Sequence, residues 1–258
     1  MNDAVLLEGA HSTARVHPIG ATVLSWVPHG RDDVLWVAPG ARYEEGRAIR
    51  GGIPVCWPWF ADAGTPAHGL VRNRRWELLR QEDQDGEAVA EWGIEHDDGD
   101  WNFALRYRVR AGRTLSLELE HEDRSGRPRN VGGCLHTYLR LDPTRARVLG
   151  LQGAAYDKVA GAWRGIDGAL GLEGPLDLVV PHTGAVRVGQ DGPHLEIVGQ
   201  NHTDVVLWNP GGAAVSDLSP GDERAFACVE TAIVTELRVV EGGGRLSFGT
   251  ELRLARGS

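Results

Sequence analysis

Two segments carry groups suited to moving protons. In Val131-Gly132-Gly133-Cys134-Leu135-His136-Thr137-Tyr138-Leu139-Arg140-Leu141, a period of two puts Val131, Leu135, Leu139 and Leu141 on one strand face. Gly132, Cys134, His136, Tyr138 and Arg140 share the other face, which is neither greasy nor a charged solvent face. An imidazole held on a rigid strand among small residues suits a titrating group in a concave site. It suits a hydrogen-bonded structural histidine equally well. In Arg224-Ala225-Phe226-Ala227-Cys228-Val229-Glu230-Thr231, the residues Phe226, Cys228 and Glu230 alternate with Ala225, Ala227, Val229 and Thr231. A carboxylate ending such an apolar run is costly to bury without a partner or a task. Desolvation would raise its pKa toward neutrality, as a general base requires. A strand-end glutamate facing water is the alternative.

Two further segments could line a site. Ile49-Arg50-Gly51-Gly52-Ile53-Pro54-Val55-Cys56-Trp57-Pro58-Trp59-Phe60 is a poor regular strand, because glycine weakens it and proline removes ladder donors. Such a stretch brings backbone and indole faces close to a ligand, for instance the apolar C–H face of a sugar. A core corner of buried tryptophans fits the composition slightly better. Pro66-Ala67-His68-Gly69-Leu70-Val71-Arg72 places His68 in a loop, where function concentrates. Among ten histidines, an ordinary exposed loop histidine is at least as good a reading. Of 27 basic residues, Lys158 is the one lysine and 26 are arginines, so an arginine is informative only through its neighbours. Taken together, the two histidines, one glutamate, aromatic surfaces and nearby arginines fit proton transfer on a neutral or anionic carbohydrate.

The elements that must position these groups are strands. Trp101, Phe103, Leu105, Tyr107 and Val109 alternate with polar partners, and after Ala111-Gly112 the residues Leu115, Leu117 and Leu119 do the same. This predicts a hairpin with one buried face. Shorter strands are expected at 22–27, 34–37, 76–80, 88–94, 130–141, 145–149, 185–188, 195–198, 205–208, 225–231 and 245–254. No segment shows a long helical period. The frequent turn signals from 35 glycines and 13 prolines predict an all-β protein, a large antiparallel sandwich or barrel. With no linker or low-complexity stretch, residues 1–258 read as a single domain.

The remaining observations exclude classes. A net charge of −9 without a basic run argues against partners among nucleic acids or anionic membranes. Three scattered cysteines (Cys56, Cys134, Cys228) without a CxxC pair indicate neither a disulfide framework nor a cysteine-rich zinc site. An N-terminus lacking a basic stretch and a long apolar run leads us to expect a cytoplasmic protein with reduced thiols. Phosphate-loop, dinucleotide, HExxH and GxSxG motifs are absent from the sequence.

In their order along the chain, IRGGIPVCWPWF, HGLVR, LHTYLRL, and WNP followed by CVE resemble the glucose-6-phosphate 1-epimerases, or hexose-6-phosphate mutarotases. These are a branch of the aldose 1-epimerase, galactose mutarotase-like superfamily. The resemblance spans roughly residues 10 to 255. It implies a β-supersandwich, no cofactor, no metal, and interconversion of the α and β anomers of a small-molecule hexose 6-phosphate. By motif, His136 resembles the catalytic histidine and Glu230 the catalytic glutamate. Arg50 and Arg72 resemble substrate-binding arginines that contact phosphate, and His68 could hydrogen-bond a hydroxyl or the ring oxygen. Asp177 in Leu176-Asp177-Leu178-Val179 resembles a sugar-binding aspartate, although the Arg and Tyr of the family's Asp-Arg-Val-Tyr segment are missing. Ala67 stands where the family often has glutamine.

The expected chemistry is ring opening with His136, as imidazolium, protonating the ring oxygen while Glu230, as carboxylate, takes the C1 hydroxyl proton. Two alternatives stay open at this level: mutarotation of unphosphorylated aldoses, and a non-catalytic sugar-phosphate-binding protein. Glycoside cleavage would want a second carboxylate across the bond.

Overall fold

Alternating burial along Asn102–Ala111 and Thr114–Asp123 turns one side of this hairpin into core and leaves the other wetter, as the pattern predicts. The computed structural model describes residues 3–190, 195–215 and 217–255. The hairpin belongs to a nine-stranded antiparallel sheet in the order Leu170–Gly171, Arg147–Leu149, Val186–Gly189, Leu195–Gln200, Arg245–Leu254, Thr114–Asp123, Asn102–Ala111, Glu87–Asp97, Glu77–Gln84. An eight-stranded antiparallel sheet runs Ala162–Ile166, Gly153–Asp157, Leu176–Pro181, Asp204–Asn209, Phe226–Val240, Arg129–Leu135, Val55–Cys56, with Tyr138–Arg140 also paired to Phe226–Val240. Val5–Glu8, Ser12–His17 and Thr22–Pro28 form a third, three-stranded sheet. Among the described residues the helical content is one short turn, Asp222–Arg224. The protein is all-β, as the sequence predicts.

The main core joins the two large sheets. Leu135, Leu139, Leu178, Leu207 and Val229 of the eight-stranded sheet pack in one cluster with Leu105, Tyr107, Leu117, Leu119 and Leu252 of the other. Full burial of each aliphatic side chain contributes about 1.5–3 kcal/mol. The opposite face of the eight-stranded sheet carries separate small clusters, one around Cys56, Phe60, Cys134 and Val206, another around Trp36, Tyr138, Phe226 and Cys228.

Three expectations change in detail. The strand expected over 130–141 is two strands, Arg129–Leu135 and Tyr138–Arg140, interrupted at His136 and Thr137. There the His136 N–H turns to the Pro54 carbonyl at 3.1 Å. The alternation nevertheless continues across the break, with Leu135 and Leu139 in the main core and Cys134 and Tyr138 on the other face. Residues 34–37 make isolated bridges, Leu35 with Leu139 and Val37 with Gly51, instead of a strand. The pairs Val5–Glu8 with Ser12–His17, and Gly153–Asp157 with Ala162–Ile166, were not expected, because these segments are short and mix polar with small residues.

Candidate active site

The Phe226–Val240 strand is the axis of the site. Its register sets Glu230 opposite Val206 on one side and Thr231 opposite Leu135 on the other. His136 follows Leu135 directly and so arrives beside Glu230. The His136 Nδ1 and Glu230 Oε1 atoms are 3.3 Å apart. Glu230 is fully buried and His136 is 5% exposed. Close as they are, neither of these two atoms makes a hydrogen bond within the chain. The second carboxylate oxygen of Glu230 accepts a hydrogen bond from the Cys134 thiol at 2.8 Å.

Burial pushes the Glu230 carboxyl well above the ordinary glutamate range; the Cys134 thiol opposes the shift and the Asp177 charge adds to it. Burial also pushes the His136 imidazole well below its ordinary value, reinforced by His68, Arg72 and Arg50. Both shifts disfavour the charged form. The surroundings therefore favour neutral imidazole and carboxylic acid over the imidazolium and carboxylate that the sequence predicts. The two descriptions contain the same single proton. Moving it from the acid to the imidazole converts one into the other, so the pair titrates as a unit.

Around this pair lie the other residues picked from the sequence. The ring of His68 is 5.8 Å from that of His136, and Phe60 stands against both at 5.1 and 6.0 Å. His68 adopts φ 66°, an uncommon left-handed conformation, directly before Gly69 at φ 82°. A Cβ on Gly69 would lie 2.1 Å from the Trp57 carbonyl oxygen, so this turn is locked by backbone contact. Burial, with Arg72 and Arg50 assisting, pushes the His68 pKa down to about 3. His68 is a neutral hydrogen-bonding group at ordinary pH.

Arg50 donates to the Tyr138 hydroxyl at 2.7 Å and pairs with Asp217 at 2.6 Å. The Tyr138 ring stacks on His136 at 4.7 Å and 9°, so a single tyrosine separates the guanidinium from the imidazole. The glycine pair after Arg50 explains how it gets there. A Cβ on Gly51 would lie 2.4 Å from Val37 Cα, and one on Gly52 would lie 2.2 Å from the Val23 carbonyl oxygen. Only bare backbone passes between those two segments. Arg50 and Arg72 line one open groove of about 440 Å³ with Arg42, Arg47, Asp217 and Asp222. Among the described residues no carboxylate forms an ion pair with Arg72, whereas Arg42 and Arg47 both face Glu44.

Asp177 stands across the sheet from Trp208, which in turn faces Cys228. Its carboxylate is 4.0 Å from Lys158 Nζ, and burial raises its pKa. The sequence reading gave Lys158 no role, although a single lysine among 26 arginines was a usable signal. The aromatic block divides, with Trp57 in the core corner that its composition favours and Phe60 beside the pair. Trp57 is a core residue, stacked 6.0 Å from Phe248 and bonded through its indole N–H to His121 at 3.0 Å. The rings beside His136 are Phe60, Tyr138 and Trp208, the last edge-on at 6.0 Å.

The profile of the family described as Aldose 1-epimerase matches residues 3–253. The chain belongs to the aldose 1-epimerase family. It is 34% identical over 254 residues to an Escherichia coli K12 protein named "Putative glucose-6-phosphate 1-epimerase", covering 92% of this chain and 85% of that one. A Salmonella typhimurium protein of the same name is 32% identical over 233 residues, covering 84% and 78%. Among solved structures, one titled a putative mutarotase from Salmonella typhimurium superposes with a TM-score of 0.91 at 26% identity, over 99% of this chain and 92% of that one. The fold is also that of an Escherichia coli K12 structure titled a putative aldose 1-epimerase, at TM-score 0.77 and 13% identity, covering 97% and 98%. For this aldose 1-epimerase family member, the relatives support an isomerase of the epimerase class with a small-molecule sugar ligand.

Proposed function

We propose that the protein interconverts the α and β anomers of a hexose 6-phosphate, with glucose 6-phosphate as the favoured substrate. The observation that carries this reading is the His136–Glu230 pair lying one tyrosine ring from Arg50, which itself lines the arginine-bearing groove. The names of the curated relatives point the same way.

Opening a pyranose requires a proton on the ring oxygen and the loss of one from the C1 hydroxyl. With the shared proton on His136, the imidazolium gives it to the ring oxygen while the Glu230 carboxylate takes the hydroxyl proton. The pair then stands as neutral imidazole and carboxylic acid. Reclosure on the other face of the aldehyde reverses both transfers and yields the second anomer. Each positioned group contributes about 10²–10⁴-fold to such a step. His68, neutral, hydrogen-bonds a sugar hydroxyl or the ring oxygen. Asp177 and Lys158 hold hydroxyls from the far side, and Arg50 and Arg72 hold phosphate through charge-assisted bonds.

The test is anomer exchange by NMR on glucose 6-phosphate and on glucose, using the unaltered chain and Arg50→Ala. Catalysed exchange that favours the phosphorylated sugar, with that preference shrinking in Arg50→Ala, is expected. Equal exchange of both sugars by the unaltered chain would instead favour a mutarotase of free aldoses. Binding without exchange would make this a sugar-phosphate-binding protein.

A further inference from the structure

The three cysteines are scattered in sequence yet converge on the same sheet face. Cys134 bonds to Glu230, Cys56 lies 3.8 Å from His68 Nδ1, and Cys228 faces the His136–Glu230 pair. A ring nitrogen of His136, the Cys228 sulphur and a Glu230 carboxylate oxygen lie within 4.8 Å of one another, and all three residues are buried. His136 Nδ1 and Glu230 Oε1 are also left without a hydrogen-bond partner. Their 3.3 Å separation is the edge expected between nitrogen and oxygen ligands at about 2.0–2.1 Å from a tetrahedral zinc ion. A mixed nitrogen, oxygen and sulphur donor set is that of a borderline-soft divalent cation.

We propose that His136, Cys228 and Glu230 form a binding site for a thiophilic divalent cation, Zn²⁺ or its analogue Co²⁺, and that its occupation blocks catalysis. Three protein ligands leave a fourth position for water or a sugar hydroxyl. Binding replaces the thiol proton of Cys228 and the proton shared by His136 and Glu230 by the metal, releasing both to solvent. The ion thereby removes the proton that the pair must shuttle. Cys228, which the proton transfer itself does not use, is the residue that gives the site its preference for zinc over magnesium or calcium. The binding stands on the geometry alone; the block on catalysis rests on the function proposed above.

The experiment titrates the full chain with CoCl₂ and follows absorbance, then repeats anomer exchange with ZnCl₂ and with ZnCl₂ plus chelator. A thiolate-to-cobalt charge-transfer band saturating at one equivalent is expected. In Cys228→Ala that band should vanish and affinity should fall at least about tenfold, while Cys56→Ser keeps both. Glu230→Gln supplies a second variant that should also weaken the ion if Cys228→Ala does not fold. Zinc should stop exchange in the unaltered chain, and chelator should restore it. No band, or a band unchanged in Cys228→Ala, overturns the site. Exchange that continues with zinc bound overturns the block. A normal band in a protein that exchanges no sugar would keep the site and remove the proposed function instead.

Discussion

The two faces of the eight-stranded sheet use the same strands for opposite ends. On the inner face Leu135, Leu139, Leu207 and Val229 meet other apolar side chains in the main core. On the outer face the neighbouring residues Cys134, His136, Tyr138, Cys228 and Glu230 are just as buried. There, however, burial leaves the facing atoms of His136 and Glu230 without hydrogen bonds. Equal burial therefore has unequal consequences. The inner face converts it into stability, while the outer face converts it into displaced proton affinities.

That contrast can be broken by truncation on either side. Leu207→Ala, on the inner face, should cost about 2–5 kcal/mol of stability, measured by denaturant unfolding, with the surviving folded fraction still active. A loss of activity without loss of stability would contradict the division. On the outer face, Arg50→Ala should weaken a phosphorylated sugar by the equivalent of about 1.5–3 kcal/mol, read as KM or Kd against the unphosphorylated sugar.

The sign of a stability change distinguishes the faces further. Glu230 has a folded-state pKa raised above its unfolded value. Its favourable linkage contribution is therefore complete below the unfolded pKa and is lost as pH rises through the folded one. Glu230→Gln should stabilise the protein relative to the unaltered chain, with a melting-temperature gap that widens as pH rises above the ordinary glutamate range. A constant gap would mean that the carboxyl is not held neutral.

The rate should follow the same proton count. Burial opposes both charging the imidazole and ionising the carboxyl, so the one-proton form should persist over a wider pH range than in an exposed pair. The pH profile of kcat/KM should be correspondingly broad. A narrow peak between those two ordinary values would contradict the shifts. The smallest effect is expected for Tyr138→Phe, which removes the hydroxyl that orients Arg50. It should weaken phosphate binding by about 0.5–1.5 kcal/mol and leave unphosphorylated sugars unaffected.

Much of the face division was legible in sequence. Period-two alternation separated Leu135 and Leu139 from Cys134, His136 and Tyr138, and separated Val229 from Cys228 and Glu230. It did so even though the first strand is interrupted at His136. What alternation could not supply was register. That His136 meets Glu230 depends on Thr231 pairing with Leu135 across nearly a hundred residues, a non-local fact. Lys158 and Asp217 reach the site from a turn and a loop, where no period operates. The aromatic block was ambiguous for a different reason. Trp57 and Phe60 are three positions apart on a proline-broken segment, and only the packing of Trp57 against His121 and Phe248 shows which of them faces the core.

The central claim is that one histidine and one glutamate on the outer face pass a single proton back and forth during anomer exchange. Saturation-transfer NMR between the α and β anomers of glucose 6-phosphate, run with the unaltered chain, His136→Ala and Glu230→Gln at matched folded concentration, tests it most directly. The account predicts rapid catalysed exchange for the unaltered chain and a fall of about 10²–10⁴-fold in each variant. Exchange at the unaltered rate in either folded variant would contradict it.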